Sequence, residues 1–404
     1  MDEPISFSGA ADGFADSTRQ ESSASHRQPS GHVCHIISGD LWAGAACQAY
    51  HLLSDLIKTE TMLFSAITFN PGKLTNQLTS IGMPVLCLPE DRLSSLEILS
   101  EIHRYVDNHG IDIIHCHGHK EQIFGCIASL LLRKRVKVVR TLHGMPEPYS
   151  GLAGVRAKCY QILQNCCSLF LTEKIVVVSN DMKDRLKQRK WARKLICIHN
   201  GIDPEKVKPT VSREQMKNLL GIVGDDYVIG VACRLVPIKR LDILLQTMRF
   251  LQQKHKEVLL LIAGDGPLLS QLKRQAQLLG IEKRVRFLGF RTDIYDVMST
   301  FDVFVMTSDH EGVPMGLLEA VALGIRVVAP AVGGIPEVVN DHTAVLLENL
   351  NCETLADCLH SEILKHRAGE KGHLTQKHLP PSSGETSLKM VQLYENIGIS
   401  RKRK

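Results

Sequence analysis

The sequence predicts an α/β protein built from two doubly wound parallel sheets whose strand-end rims face a shared cleft. Short apolar runs of strand length alternate with amphipathic stretches of helix length. This pattern stops at a polar segment, residues 200–226, and then starts again. Glycine, histidine and charged residues follow the apolar runs directly, at the carboxyl ends of strands where open α/β sheets bind ligands. A chain of 404 residues is long enough for two such domains.

The first stretch of the pattern, residues 31–204, is predicted to form an amino-terminal domain. Its strands are expected at residues 33–37, 62–68, 84–88, 111–115, 136–140, 174–178 and 195–198. Helices are expected after the first strand, as far as about Lys58, and over residues 96–109. Residues 1–30 are rich in serine and lack a basic start followed by an apolar core, so we expect a disordered lead-in and no secretory signal.

The second stretch, residues 227–365, is predicted to form a carboxy-terminal domain of the same kind, after a linker at residues 205–226. Its strands are expected at residues 227–232, 258–263, 285–288, 303–307 and 326–329, with helices at 240–255 and 267–279. Residues 366–404 are expected to hold a polar loop to about residue 384, a last helix at 388–397 and a basic tail. Two facing strand-end rims would enclose a cleft, which is a common place for a small-molecule site.

The composition is that of a soluble globular protein, with 44% hydrophobic and 23% charged residues. The longest apolar run, residues 123–132, is too short to span a bilayer. The 12 cysteines show no C-x-x-C spacing, and several lie inside predicted strands. We therefore expect reduced thiols, no disulfide framework and a cytoplasmic location.

Two short segments, residues 133–140 and 183–194, carry clustered positive charge, although the net charge of the chain is only +5. Each segment is either solvated surface or a surface that attracts anionic lipid headgroups or an anionic acceptor. Nucleic acid is not expected as a partner, because aromatic residues make up only 5% of the chain and do not alternate with the basic ones.

The segment from Glu311 to Glu319 carries the strongest functional signal. It follows a predicted strand, and its Gly312, Pro314 and Gly316 shape a turn that opens a helix. Free N–H groups and the helix dipole at such a turn favour an anion. Two carboxylates beside an anion site suit a ligand that carries both phosphates and hydroxyls. A nucleotide sugar is such a ligand.

Three further strand ends of the carboxy-terminal half support this interpretation. Arg234 and Lys239 lie five positions apart in one loop, so both side chains can converge on a diphosphate. Gly264 belongs to a Gly-Asp-Gly-Pro turn between a strand and a helix, which is either structural or in contact with ligand. Phe290 follows the next strand, where a nucleobase would lie.

In the amino-terminal half, His117 and His143 follow two successive strands, each beside a glycine. Paired histidine-glycine motifs at neighbouring strand ends favour a functional role over a structural one. Metal binding is not expected, because the sequence shows no Asp-x-Asp and no Asp/Glu/His cluster that would complete a site. Gly39 and Gly44 follow the first strand but lack the full G-x-G-x-x-G fingerprint of dinucleotide binding.

Together, the Arg234–Lys239 loop, the turn at Gly264, the Glu311 to Gly324 segment and the Asn-Gly-Ile-Asp at residues 200–203 resemble the retaining family-4 glycosyltransferases of the GT-B fold. The resemblance covers about residues 31–365. It implies two Rossmann-like domains facing a central cleft. The last helix resembles the segment that crosses back onto the amino-terminal domain in that family.

The resemblance also implies roles for individual residues. Glu319 would bind the donor ribose and Glu311 the transferred sugar. His143 matches a histidine near the anomeric carbon. Gly39 and Gly44, with His117, would form the acceptor or phosphate loop, although the sequence Gly-Ala-Ala-Cys at 44–47 departs from the family pattern. The diphosphate would be held by Arg234, Lys239 and the N–H groups of Met315, Gly316 and Leu317.

The resulting expectation is a glycosyltransferase that moves a sugar from a nucleoside-diphosphate donor to a hydroxyl acceptor with retention of configuration. No metal or other cofactor is expected. The acceptor could be a lipid-linked glycan, with the enzyme on the inner face of the membrane and a role in surface polysaccharide or glycolipid assembly. Two alternatives stay open, a sugar-nucleotide 2-epimerase and a non-catalytic protein that binds nucleotide sugars.

Overall fold

The computed structural model describes residues 29–39, 44–145, 155–222, 224–370 and 380–398. The expected lead-in lies outside these residues except for its last two positions. About half of the expected polar loop, residues 371–379, and the whole basic tail also lie outside them.

The amino-terminal domain is a parallel sheet of seven strands in the order β3-β2-β1-β4-β5-β6-β7, with helices on both faces. Its elements in chain order are β1 (His32–Ile37), α1 (Gly44–Leu56), β2 (Leu63–Thr68), α2 (Lys73–Ser80), β3 (Val85–Cys87), α3 (Ser95–Asn108), β4 (Ile113–Cys116), α4 (His119–Leu131), β5 (Lys137–Leu142), α5 (Val155–Cys166), β6 (Thr172–Val177), α6 (Asn180–Arg185) and β7 (Leu195–Cys197).

The carboxy-terminal domain is a second parallel sheet, of six strands in the order β10-β9-β8-β11-β12-β13. Its elements are α7 (Arg213–Leu219), β8 (Tyr227–Ala232), α8 (Leu241–Lys254), β9 (Val258–Ala263), α9 (Leu269–Leu278), β10 (Val285–Gly289), α10 (Ile294–Ser299), β11 (Val303–Val305), α11 (Met315–Ala322), β12 (Arg326–Pro330), β13 (Ala344–Leu347) and α12 (Cys352–Arg367). A final helix, α13 (Ser383–Asn396), follows.

Burial on both faces explains why the strands read as continuous apolar runs. In β9 every residue is buried. Leu260 and Ile262 pack into the core on one face of the sheet, and Leu259 and Leu261 pack into the core on the other. Each such side chain contributes about 1.5–3 kcal/mol when it leaves water. The predicted fold class, two doubly wound parallel α/β domains, is confirmed.

Helix α13 leaves the carboxy-terminal part of the chain and packs on the amino-terminal domain. Met390, Leu393 and Tyr394 are buried in the same core as Leu52 and Leu53 of α1. The crossing-back helix implied by the resemblance is therefore present. It starts before the predicted residue 388, because the hydroxyl of Ser382 accepts a hydrogen bond from the N–H of Glu385 at 3.1 Å and caps its first turn.

Other differences from the prediction are clearest in the carboxy-terminal domain. Strand β13 was not predicted. Its four residues add an edge to the second sheet beside β12. Helix α12 continues to Arg367, so the polar loop begins later than residue 366. The strand predicted at residues 303–307 ends at Val305, because the chain there turns into the loop that carries Glu311.

Candidate active site

The carboxylate of Glu311 lies in the loop between β11 and α11 and is nearly buried. It forms an ion pair with the ammonium group of Lys239, and the hydroxyl of Ser308 donates to it at 2.6 Å. The side chains of Lys239 and Glu311 are only 17% and 10% exposed. Breaking a pair that is this shielded is costly, because the remaining charge stays buried. Lys239 and Glu311 are therefore coupled in the structure, and their catalytic role stays a prediction.

The loop that follows β8 places Arg234 and Lys239 at the same rim. Arg234 is exposed, and its side chain has no ion pair or hydrogen bond within the described part of the chain. The backbone of this loop packs closely against Gly264, whose φ is +133°. A Cβ at this position would lie 1.9 Å from the carbonyl oxygen of Cys233. Glycine is required here so that the backbone beside Arg234 can pass this closely. A contact between Gly264 and a ligand stays a prediction.

The first turn of α11 opens toward this rim. Pro314 precedes the helix, and no side chain caps it. The N–H of Leu317 donates to the carbonyl of Pro314 at 3.2 Å, which leaves the N–H groups of Met315 and Gly316 for an anion. A Cβ at Gly316 would lie 3.1 Å from the carbonyl of Ala232, so the helix start packs against the end of β8. Leu317 is thus the weakest of the three predicted amide donors.

Glu319 lies one helical turn deeper and is 8% exposed. One carboxylate oxygen accepts from the hydroxyl of Tyr295 at 3.4 Å and from the thiol of Cys47 at 3.5 Å. Burial raises the pKa of Glu319 above its ordinary value. The hydrogen bond from Tyr295 is long, so a ligand hydroxyl can replace it at little cost. Cys47 belongs to α1 of the other domain, so Glu319 lies at the junction of the two domains.

From the amino-terminal domain, His143 follows β5 and His117 follows β4. The Nε2 of His143 lies 3.1 Å from the Nδ1 of His117, and the two rings stack. Burial, assisted by the guanidinium of Arg140, lowers the pKa of His143 to about 4. The Nδ1 of His143 is buried and has no hydrogen-bond partner within the described residues. His143 is therefore a neutral ring with one nitrogen left for a ligand.

The rims of the two domains touch, and this contact brings His143 and the Glu311 loop together. A Cβ on Gly312 would lie 2.8 Å from the carbonyl oxygen of His143 and 2.7 Å from a methyl of Val178. The side-chain amide of Asn200 donates to the carbonyl of Val313 at 2.8 Å. The predicted catalytic histidine and glutamate thus come from opposite domains and belong to adjoining segments.

The remaining predicted site residues lie at the expected strand ends. Gly39 follows β1 with φ of +80°, and Gly44 is the first residue of α1. Residues 40–43 between them lie outside the described part of the chain. Phe290 follows β10 and is 53% exposed, so its ring is free to meet a planar ligand. The roles of these residues stay predictions.

Several contacts at the domain junction escaped the sequence analysis. The most connected residue is Glu337, which accepts from the backbone N–H groups of Asn180 and Asp181 at 2.8 and 2.9 Å. It also pairs with the Nε2 of His199 at 2.7 Å. These hydrogen bonds hold the pKa of Glu337 below its ordinary value. No local motif marks them, because their partners are more than a hundred residues away in sequence.

The expectation that no cluster could complete a metal site is wrong as far as the positions of the side chains are concerned. Two groups among the described residues have side-chain ligand atoms within 4.8 Å of one another. The first is His35, His115 and His117, and the second is Cys197, His199 and Glu337. In the second group the Glu337 oxygens already accept the hydrogen bonds given above, and the Cys197 sulfur is 3.9 Å from the His199 ring.

The two basic segments are partly structural. Arg140 is fully buried and donates to the side-chain oxygen of Gln122 at 2.7 Å. Lys137 donates to the carbonyls that end α13, and Lys194 donates to the carbonyl of Leu169 at 2.7 Å. Among the described residues, no helix is both long and apolar enough to cross a bilayer. All twelve cysteines lie in the described part of the chain, and each is a free thiol.

Two family descriptions match the chain, one for each domain. Residues 44–206 match Glycosyltransferase Family 4, and residues 212–373 match Glycosyl transferases group 1. Among curated proteins, an Escherichia coli UDP-Gal:alpha-D-GlcNAc-diphosphoundecaprenol alpha-1,3-galactosyltransferase is 26% identical over 293 residues. That match covers 69% of this chain and 74% of the relative. The putative glycosyltransferase EpsF of Bacillus subtilis is also 26% identical, over 72% of this chain and 77% of its own.

Solved structures share the architecture. The HepE protein of Anabaena in complex with UDP-glucose superposes with a TM-score of 0.76 at 21% identity, over 91% of this chain and 100% of its own. WaaG, a glycosyltransferase involved in lipopolysaccharide biosynthesis, superposes with a TM-score of 0.65 at 14% identity, over 92% of this chain and 100% of its own. At these identities the likeness establishes the fold, two facing domains of GT-B type.

Proposed function

We propose that this chain, a GT-B glycosyltransferase with a family 4 domain and a group 1 domain, moves a sugar from a nucleoside-diphosphate sugar to a hydroxyl acceptor with retention of configuration. The observation that carries the proposal is the convergence of Arg234, the Lys239–Glu311 pair and the start of α11 at one rim, with His143 facing them from the other domain.

The charges at this rim suit a diphosphate leaving group. Arg234 has no partner among the described residues and is exposed, so it can turn a bidentate fork toward a phosphate. The N–H groups of Met315 and Gly316 add dipoles of the same sign. As the bond between sugar and phosphate breaks, negative charge grows on the phosphate oxygen. All of these donors stabilise that charge, and the backbone N–H groups, held by the helix start, do so without reorganisation.

The state of Glu311 supports retention without a covalent intermediate. A double displacement needs a carboxylate nucleophile beneath the anomeric carbon. Glu311 is the obvious candidate, but Lys239 and Ser308 already engage its Oε1. This arrangement suits binding of sugar hydroxyls better than attack. The acceptor then attacks from the face that the phosphate leaves, and the departing phosphate oxygen takes the acceptor proton.

His143 has the chemistry of a ligand-orienting group. With a pKa lowered to about 4, it is neutral at pH 7 and makes a poor acid. The basic side chains and the helix start supply the positive charge that a metal would otherwise bring to a diphosphate. We therefore infer that the reaction needs no metal ion.

The relatives suggest the substrate class. One is named for transfer from UDP-galactose to a sugar on diphosphoundecaprenol, and others are named for O-antigen biosynthesis. We propose a hexose donor and an acceptor hydroxyl on a growing surface glycan, carried on a lipid. Exposed basic residues of segment 183–194, including Lys187 and Lys190, would favour an anionic membrane surface.

The test is acceptor-dependent release of nucleoside diphosphate, with products identified by mass spectrometry. Nucleoside-diphosphate hexoses are incubated with and without sugar acceptors, including lipid-diphosphate-linked ones. The proposal predicts release only when an acceptor is present, together with a new glycoside. An epimerase would convert the donor without acceptor, and a non-catalytic binding protein would release nothing. Either result would overturn the proposed function.

A further inference from the structure

Behind His143, a continuous series of hydrogen bonds runs into the core of the amino-terminal domain. The Nδ1 of His117 meets the Nε2 of His143 at 3.1 Å, and the Nε2 of His117 meets the Nδ1 of His35 at 2.8 Å. The Nε2 of His35 lies 3.3 Å from the hydroxyl of Tyr394 on α13. That hydroxyl also lies 2.6 Å from the Nδ1 of His115. We call His143, His117, His35, Tyr394 and His115 the histidine chain.

The histidine chain ends at a threonine. The Nε2 of His115 lies 2.7 Å from the hydroxyl of Thr141, two residues before His143 on β5. His35, His115, His117, Thr141 and Tyr394 are at most 6% exposed. Burial lowers the pKa values of the three inner histidines well below the ordinary range, and that of His143 to about 4. All four rings are therefore neutral at pH 7.

Neutrality makes the direction of every hydrogen bond depend on every other. A neutral histidine donates through one ring nitrogen and accepts through the other. If the hydroxyl of Tyr394 donates to His115, it accepts from the Nε2–H of His35. His117 must then donate from Nε2 to His35, and His143 from Nε2 to His117. In this direction the Nδ1 of His143 is a bare lone pair.

The opposite direction reverses each step. Tyr394 then donates to His35, His35 donates to His117, and His117 donates to His143. The Nδ1 of His143 would carry the hydrogen and could only donate. The Nδ1 of His143, which has no partner among the described residues, therefore accepts or donates according to which partner Tyr394 chooses, although two rings lie between Tyr394 and His143.

The distances select the first direction. A hydroxyl donor makes shorter hydrogen bonds than a ring N–H donor does. The 2.6 Å contact of Tyr394 with His115 has the length of an O–H donor, whereas its 3.3 Å contact with His35 is long. The 2.7 Å contact between the Thr141 hydroxyl and the Nε2 of His115 fits either direction, and in the first direction the hydroxyl oxygen accepts the Nε2–H.

We propose that Tyr394 and Thr141 are positioning residues that hold His143 as the Nε2–H tautomer, so that its Nδ1 lone pair accepts a hydrogen bond from a hydroxyl of the donor sugar. The catalytic relevance of this assignment rests on the proposed function, whereas the tautomer itself does not. Helix α13 thereby sets the hydrogen-bonding character of the rim that carries His143.

Metal binding by His35, His115 and His117 is a weaker interpretation of the same cluster. All six ring nitrogens of these residues already have a hydrogen-bond partner. A metal ion would have to displace the bonds within the core and expel their hydrogens. The hydrogen-bonded arrangement satisfies every polar atom of the three rings as they stand, which is what buried polar groups require.

The test is the tautomer of His143, read by NMR from long-range correlations between ring hydrogens and nitrogens in protein labelled with ¹⁵N at histidine. The His143 signals are identified by their loss in His143→Asn. In the wild-type protein without substrate, the proposal predicts the Nε2–H form. A predominant Nδ1–H form would overturn it.

Two variants then probe the control exerted from a distance. Thr141→Val removes the acceptor of the His115 N–H, which disfavours the first direction. The Nδ1–H form of His143 should therefore become about as populated as the Nε2–H form. Tyr394→Phe uncouples the two halves of the chain, and both tautomers should appear. Tyr227→Phe, a buried tyrosine of the other domain, is the matched control and should keep the wild-type form.

Kinetics gives the second readout. In Thr141→Val and Tyr394→Phe, kcat/KM should fall about tenfold, equal to about 1.4 kcal/mol, while Tyr227→Phe stays at the wild-type value. An unchanged His143 tautomer in both variants would overturn the proposal, even if activity fell. If Tyr394→Phe does not fold, Thr141→Val decides alone, because valine suits a buried strand. Absence of transfer by the wild-type protein would sink the proposed function and leave the tautomer result standing.

Discussion

The contact between Gly312 and the opposite rim gives the sharpest structural prediction. In Gly312→Ala the new methyl would lie 2.8 Å from the carbonyl oxygen of His143, 2.7 Å from a methyl of Val178 and 3.3 Å from the sulfur of Met182. Ordinary contact begins near 3.4 Å, so the contacts at 2.8 and 2.7 Å fall short by 0.6 and 0.7 Å, and the rims must separate by about that much. Overpacking of this kind costs about 1–3 kcal/mol.

Because these contacts join two domains, we expect separation of the rims to relieve the strain more cheaply than distortion of either core. A loss of 1–3 kcal/mol at the transition state corresponds to about 5- to 160-fold in kcat/KM. The assay is kcat/KM together with thermal unfolding and donor binding. We expect activity to fall in this range, while unfolding and binding of nucleoside diphosphate to the carboxy-terminal domain change little.

Gly384→Ala is the matched control, because its new methyl would meet only the hydroxyl of Ser382, at 3.8 Å. It should keep wild-type activity. Wild-type kinetics in Gly312→Ala would refute the inference that the rims in contact are the catalytically competent arrangement. An equal loss of activity in both variants would refute it too.

Three more predictions concern the site, the histidines and the surface. Arg234→Ala and Lys239→Ala should each lower kcat/KM at least tenfold, about 1.4 kcal/mol, and steady-state rates at the wild-type level would remove the diphosphate assignment. The unfolded chain binds protons at its histidines below about pH 6.5, whereas the folded His143 does so only below about pH 4. Stability should therefore fall as the pH drops through this window, by about 3 kcal/mol for His143 alone, and urea midpoints that stay flat from pH 6.5 to 4 would contradict its burial as a neutral ring. Binding to anionic liposomes through segment 183–194 should weaken as salt rises, and binding that ignores salt, or none at low salt, would leave the segment as solvated surface.

Much of the fold could be predicted from the sequence because its strands are buried on both faces. Continuous apolar runs such as Val258–Ala263 identify such strands without further information. The short edge strand Ala344–Leu347 was missed, because only its first residue is buried and its pattern resembles a loop. The start of α13 was misplaced because a cap at Ser382 and a polar first turn extend the helix beyond its apolar residues.

The part of the candidate site that could be predicted is the set of residues that directly follow strands. In a parallel sheet, the residues that directly follow the strands all lie at one rim. This rule placed Glu311 and Arg234 at the rim of the second sheet and His143 at the rim of the first. Contacts across the cleft leave no such signal. Cys47 and Glu319 are 272 positions apart, and Tyr394 and His115 are 279 apart. Such pairs form only when both domains and the returning helix are in place.

The measurement that tests the central claim most directly is ¹H NMR of the fresh transfer product, made from an α-linked nucleoside-diphosphate hexose in excess EDTA. The anomeric coupling constant of the new glycoside reports its configuration. Transfer with retention, at one nucleoside diphosphate released per glycoside and without added metal, is the result that the proposed mechanism predicts. An inverted anomer, or loss of all activity on chelation, would contradict it.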